Sequence, residues 1–260
     1  MFKQIARSFV LFMGLSLAFG AQAANEVKLD KACSRTHTRY GSHWQSIEIQ
    51  STLKSFTGVK NAFIHLKTET GEWKDFPLVF KRATGTGGEV WSLNQEFNNA
   101  YFNPEFVLKY EANGQTYWDN NGGKNYKLEA SVGCELYGTN VLNNNYSAVV
   151  YANDAGASAL YLNVHTKNLG AYKVVSAIYS VDNWKTVRTV DLNRNAYEEV
   201  GYSLQSSPNA NGVEGWGTVI ALGVLPLGTD VQYAIRYVVN GKEYWDNNYT
   251  KNYHATVIKN

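Results

Sequence analysis

Two stretches of this chain repeat each other without a gap, and that repetition constrains the fold more than any other feature. Residues 106–126 read FVLKYEANGQTYWDNNGGKNY, and residues 233–253 read YAIRYVVNGKEYWDNNYTKNY. Trp118 and Trp245, the tryptophans of the shared Tyr-Trp-Asp-Asn-Asn run, stand 127 residues apart. Upstream, Glu72-Trp73-Lys74 matches Asn183-Trp184-Lys185, and Glu89-x-Trp91 matches Glu214-x-Trp216. The second copy is longer between its two matched tryptophans. The extra residues fall in the polar, Gly- and Asn-rich stretch from Asn193 to Gly215, which reads as an extended loop. A chain of 260 residues has room for two domains. Gly138 and the run Asn143-Asn144-Asn145 interrupt the pattern between the copies. This gives a leader at 1–23, a first domain at 24–137 and a second at 138–260.

Each repeat contains a hairpin whose register can be read directly. Asn113-Gly114 and Asn240-Gly241 are two-residue turns of the type that needs positive φ at both positions. Such a turn pairs Ala112 with Gln115, Tyr110 with Tyr117 and Lys109 with Trp118; in the second copy it pairs Tyr237 with Tyr244 and Arg236 with Trp245. Directly opposed residues share a face of a sheet. Phe106, Leu108 and Tyr110 alternate onto one face, as do Tyr233, Ile235 and Tyr237, and these faces are the expected cores. Trp118 and Trp245 then emerge on the solvent side beside a Lys and an Arg. Segments such as 63–67, 146–151, 160–165 and 231–238 are short, rich in β-branched and aromatic residues, and bounded by turn residues. No amphipathic helix follows the leader. The expected fold class is all-β, two tandem immunoglobulin-like antiparallel β-sandwiches.

Lys3 and Arg7, an apolar run from Phe9 to Phe19, and Ala21-Gln22-Ala23 read as a bacterial export signal cleaved after Ala23. No later segment is apolar and long enough to span a membrane as a helix. The whole chain has 24 basic and 22 acidic residues, and two of the basic ones lie in the leader. The remainder is balanced, without the basic excess that nucleic acid or anionic lipid attracts. The two cysteines, Cys33 and Cys134, are expected to form a disulfide in an exported protein. The alternative is two free buried thiols.

The paired Tyr-Trp-Asp-Asn-Asn-x-x-x-Asn-Tyr elements, each preceded by an Asn-Gly hairpin and a Trp-Lys element, resemble carbohydrate-binding module family 21. The resemblance covers residues 44–130 and 146–257. It implies non-catalytic binding of an α-glucan such as starch, glycogen or a malto-oligosaccharide. Its aromatic platform maps to Trp73 with Trp118 and to Trp184 with Trp245. Its hydrogen-bonding amides map to Asn120, Asn125, Asn247 and Asn252. A third aromatic of some members falls at Val107 and Ala234 here, so that part of the platform is missing. A second site of some members maps to Phe63 and Tyr172, with Glu89 and Glu214 as its polar contacts. Asp119 and Asp246 read as turn-forming residues, because Asp bonds its own backbone two residues on. Trp91 and Trp216 lie on apolar strands and read as core. Trp44 has no partner in the other copy and is assigned no role.

Two other function classes stay in view. A glycosidase needs two carboxylates about 5–10 Å apart across the scissile bond, and no carboxylate pair recurs here. The five histidines show no metal-ligand spacing, and no cofactor motif is present. An exported adhesin or matrix protein, holding another polysaccharide or a protein, is the other alternative. The partner expected is an α-glucan, with an exported amylase acting on the same polymer as a further candidate.

Overall fold

The computed structural model describes residues 26–144, 147, 149–200 and 203–260, with backbone alone at 198–200 and 203; the expected leader and its cleavage site lie outside them. The described residues form strands and turns and contain no helix. In the first half, two sheets face each other. One runs in the order Gly133–Leu136, Val27–Arg39, Ser42–Lys54, Gly88–Asn98, Val79–Ala83. The other runs Trp73–Pro77, Lys60–Lys67, Glu105–Ala112, Gln115–Asp119, and Tyr126–Lys127 also pairs with Glu105–Ala112. Alternation explains the layer between them. Ile47 and Ile49 point in from the first sheet, while Ile64, Leu66, Phe106, Leu108 and Tyr110 point in from the second.

The second half differs from the expected pair of separate sheets. Ten strands belong to one hydrogen-bonded sheet, eight of them in a single path and two, Val141–Asn143 and Lys242–Asp246, paired at its side. The join is Val149–Ala152, which runs parallel to the end of Tyr253–Lys259 and meets Ala157–Lys167 antiparallel at Ala152↔Ser158. Because this strand uses both edges, the two faces become one sheet folded around its own core. Val164, Val175, Ile235, Tyr237 and Tyr253 are sealed there. The stretch after Asn193 is not simply a loop. It contains Asn193–Arg194 on the sheet edge and a two-stranded hairpin, Tyr197–Val200 with Ser203–Ser206.

The halves touch at several points. Cys33 and Cys134 are directly opposed in register and form a disulfide. With Leu136, Leu142 and Val213 they make a small buried cluster joining the two halves. Asn209 Nδ2 donates to the Cys134 carbonyl at 2.8 Å. On another part of the junction, Arg82 Nε donates to Asn248 Oδ1 at 2.9 Å. The hydroxyls of Thr52 and Tyr249 lie 2.6 Å apart. Gly85 is required here, because a Cβ at that position would come within 1.9 Å of the Tyr249 carbonyl oxygen. Asp30 is buried in the same region and accepts from Thr52 Oγ1 at 2.6 Å.

Two outcomes follow from this arrangement. The disulfide closes a span of 101 residues, so Cys33→Ser with Cys134→Ser should cost about 2–5 kcal/mol in urea unfolding; an unchanged midpoint and slope would contradict this. Burial pushes the Asp30 carboxyl up from 3.8 to about 6, against the opposing pull of Thr52 and Lys28. The folded state therefore holds this proton more tightly than the unfolded chain. Its stabilising contribution is full below 3.8 and is lost as pH rises through about 6. Thermal melting of Asp30→Asn should show a flatter slope between those values than the parent chain, and parallel curves would contradict the assignment.

Candidate functional site

The Asn-Gly hairpins have the register read from the sequence. Lys109 pairs with Trp118 and Tyr110 with Tyr117; Arg236 pairs with Trp245 and Tyr237 with Tyr244. Asn113, Gly114, Asn240 and Gly241 all carry positive φ, as the turn demands. Tyr110 and Tyr237 are sealed in their cores, whereas Trp118 is half-buried and Trp245 is 47% exposed on the opposite face.

The two aspartates of the motif act structurally. Asp119 Oδ2 accepts from the Leu29 backbone N–H at 3.2 Å and from Tyr126 Oη at 2.8 Å, and Oδ1 accepts from Asn121 N–H at 3.2 Å. Asp246 repeats the pattern with Asn143 N–H at 2.6 Å, Tyr253 Oη at 2.8 Å and Asn248 N–H at 3.3 Å. Each carboxylate ties the hairpin end to an early strand of its own half. Burial raises the Asp246 carboxyl above its usual range, against the pull of these hydrogen bonds.

In the second half the predicted residues converge. Trp184, Trp245, Asn247 and Asn252 line one open cleft of about 290 Å³, whose floor is Ile178 and Ala234, directly opposed on neighbouring strands. Trp184 sits in the turn after Lys173–Ser180 with φ 64°, a sparsely populated conformation for a bulky residue. It is held there by Ser180 Oγ, which accepts its N–H at 2.9 Å, and by Gln232 Oε1, which accepts from Nε1. Asp182 closes the same turn; the Thr186 backbone N–H, chief among its partners, holds the carboxyl down at about 2. Asn247 Oδ1 accepts from Thr250 N–H at 3.0 Å, which leaves its Nδ2 for other partners. Asn252 has φ 59°, so this position also favours Asn for its backbone.

The first half arranges the same residue types differently. His65 stacks on Trp73 at 5.1 Å and 15° and meets Trp118 edge-on at 5.9 Å. His65 stands where Ile178 stands in the second half, as the common strand register shows: His65 opposes Val107, and Ile178 opposes Ala234. Asp75 Oδ1 lies 2.6 Å from His65 Nδ1, and Lys109 Nζ donates to Asp75 Oδ2 at 2.9 Å. Asn120 Oδ1 accepts from Gly123 N–H, and Asn125 Nδ2 donates to Glu105 at 2.8 Å. The rings and amides are near one another, but a histidine lies between the indoles.

The second site mapped from the sequence does not assemble. Phe63 and Tyr172 are not equivalent: Phe63 opposes Lys109 within its strand, as Ser176 opposes Arg236, whereas Tyr172 precedes its strand and is exposed. Glu89 and Glu214 are buried. Glu89 pairs with Lys60 and accepts from Trp91 Nε1 at 3.0 Å; Glu214 accepts from Lys173 Nζ at 2.7 Å. These are internal ion pairs. Aligning the two Lys–Glu pairs would have revealed the true register and, with it, His65 and Ile178, which the sequence reading missed. Trp216 is buried in its core; Trp91 packs half-buried against the other, and Trp44 stacks on His37. Among the described residues no group of three or more His, Cys, Asp or Glu could hold a metal ion.

Residues 81–129 and 147–256 match the family model of the carbohydrate/starch-binding module (family 21). Protein phosphatase 1 regulatory subunit 3B of Homo sapiens is 34% identical over 89 residues, covering 32% of this chain and 28% of the relative. The chain thus spans under a third of that relative. Among solved structures, the starch binding domain of Rhizopus oryzae glucoamylase, in complex with beta-cyclodextrin and maltoheptaose, is 22% identical with a TM-score of 0.31, covering 42% of this chain and 96% of that one. The carbohydrate binding module of the muscle glycogen-targeting subunit of Protein Phosphatase-1 is 20% identical with a TM-score of 0.29, covering 38% and 65%.

Asp246→Ala removes three acceptor contacts from a partly buried position. Such a loss should lower stability by about 2–4 kcal/mol. Chemical denaturation checks this, and a change within experimental error would show that the carboxylate does not anchor the hairpin.

Proposed function

We propose, from the premise that this chain belongs to carbohydrate/starch-binding module family 21, that it binds an α-glucan without catalysis, chiefly through the cleft of its second half. The observation that carries this is the convergence of Trp184, Trp245, Asn247 and Asn252 on one open apolar-floored cleft. A pyranose has a flat face of C–H groups that an indole covers well. Removing about 80–100 Å² of apolar surface from water contributes about 2–2.5 kcal/mol. Each amide contact to a hydroxyl nets about 0.5–1.5 kcal/mol, because water is displaced. Association entropy offsets much of this, so a single cleft should bind in the micromolar to millimolar range.

In this reading the chain is two copies of one module, 24–137 and 138–260. Two linked clefts on one polymer raise retention by up to about 10²–10⁴ when both engage. The first-half indole pair, with His65 between Trp73 and Trp118, is the weaker partner. Starch, glycogen and malto-oligosaccharides are all α-glucans of the required kind. The family is one of binding modules, and among the described residues the second-half cleft is lined by no carboxylate. The leader-like N-terminus and the disulfide favour an exported, oxidising location.

The test is calorimetric titration of the full chain with maltoheptaose, together with retention on insoluble starch. Trp245→Ala and Trp184→Ala should each weaken maltoheptaose binding at the second-half cleft at least tenfold, and Trp118→Ala should weaken total binding less. Retention on starch should fall steeply only when Trp118 and Trp245 are both replaced. Undiminished binding after Trp245→Ala would refute the assignment of this cleft.

A further inference from the structure

A second concavity adjoins the cleft. It shares Trp245 and Asn247 with it and runs into the junction between the halves, where Lys28, Asp30, Gln50 and Arg82 of the first half line it. Its volume of about 140 Å³ is about ten times the roughly 10–15 Å³ that admits one water. The lining is polar and mixed. Lys28 and Arg82 bring two positive charges, and Asp30 and Asp246 bring two carboxyl groups, so the balance does not select an anion. Several of these groups are already engaged: Arg82 with Asn248 and Tyr253, Asp30 with Thr52 and Tyr249, and Asp246 with Asn143 and Tyr253. Two are not. The Gln50 carboxamide makes no side-chain hydrogen bond among the described residues, and the Lys28 ammonium makes neither a hydrogen bond nor an ion pair there. Asn247 Nδ2 adds a third unused donor.

We propose that this groove is an additional subsite for a neutral glucan, in which the sugar next to the one stacked on Trp245 is held by Lys28 and Gln50 of the first half and by Asn247 of the second. The inference rests on the reading of the second-half cleft given above and extends it. A hydroxyl-rich ring offers donors to the Gln50 carbonyl and acceptors to the Lys28 ammonium and the two amides. The subsite exists only because the halves are docked. The contact of Gly85 with the Tyr249 carbonyl and the bond from Arg82 to Asn248 fix the motif loop of one half against the other. A linear chain can run from Trp245 into the groove, whereas a closed ring such as β-cyclodextrin can cover the indole but cannot extend into it.

The experiment uses the full chain carrying Trp118→Ala, so that the second-half cleft is read alone, and compares maltoheptaose with β-cyclodextrin by calorimetry. Adding Lys28→Ala and Gln50→Ala should weaken maltoheptaose about five- to tenfold and leave β-cyclodextrin within about twofold. Both side chains are at least partly exposed, and a thermal melt verifies that the variant is folded. Unchanged affinity for both ligands overturns the subsite. Equal weakening of both also overturns it, since the residues would then act through the motif loop. Trp245→Ala separates the two levels. If it abolishes binding of both ligands while Lys28→Ala with Gln50→Ala is silent, only the subsite falls. If it leaves both ligands bound, the cleft and the subsite fall together.

Discussion

The arrangement depends on one hydrogen-bonded carboxylate used twice. Asp119 and Asp246 each accept a backbone N–H from an early strand of their own half and a hydroxyl from the motif tyrosine. A hairpin on its own is marginally stable in water. These bonds fasten its open end to the sandwich, and the loop that follows inherits a fixed position. Without them the tryptophan one residue earlier and the asparagines just after would have no defined relation to each other. The residue types then follow from the backbone. Asn121, Asn125, Asn248 and Asn252 all have positive φ, so the loop selects Asn for conformation as well as for its amide.

The same anchor supports two different surfaces. In the second half, aliphatic Ile178 and small Ala234 leave the space between Trp184 and Trp245 open. In the first half, His65 fills the corresponding place and stacks on Trp73. The hairpin, its clamp and the internal Lys–Glu pair occur in both halves, while the face between the indoles differs. The junction adds an asymmetry of its own. The motif loop of the second half is braced by Arg82 and Gly85, whereas residues 121–124 of the first are exposed.

Much of this was legible in the sequence because the signals were local. An Asn-Gly turn fixes register by itself, and strict alternation then decides which side of the sheet each residue occupies. Hence the outward placement of Trp118 and Trp245 and the sealing of Tyr110 and Tyr237 could be read from about ten residues each. What could not be read was long-range. The parallel pairing of Val149–Ala152 with the distant Tyr253–Lys259, which makes the second half one continuous sheet, leaves no local trace. The equivalence of Phe63 with Tyr172 fails because Lys60-Asn61 and Lys167-Asn168, the alike pairs that precede them, sit at the start of one strand and the end of another. Glu89 and Glu214 looked available because a carboxylate on a strand gives no hint that a lysine on another strand will bury it.

The central claim is that a glucan lies in the second-half cleft with a pyranose against Trp245. A crystal structure of the full chain with maltoheptaose tests it most directly. The account requires a sugar ring stacked on the Trp245 indole, a hydroxyl within hydrogen-bond reach of Asn247 or Asn252, and Trp184 along the same chain. Sugar bound elsewhere, with both of these indoles bare, would contradict it.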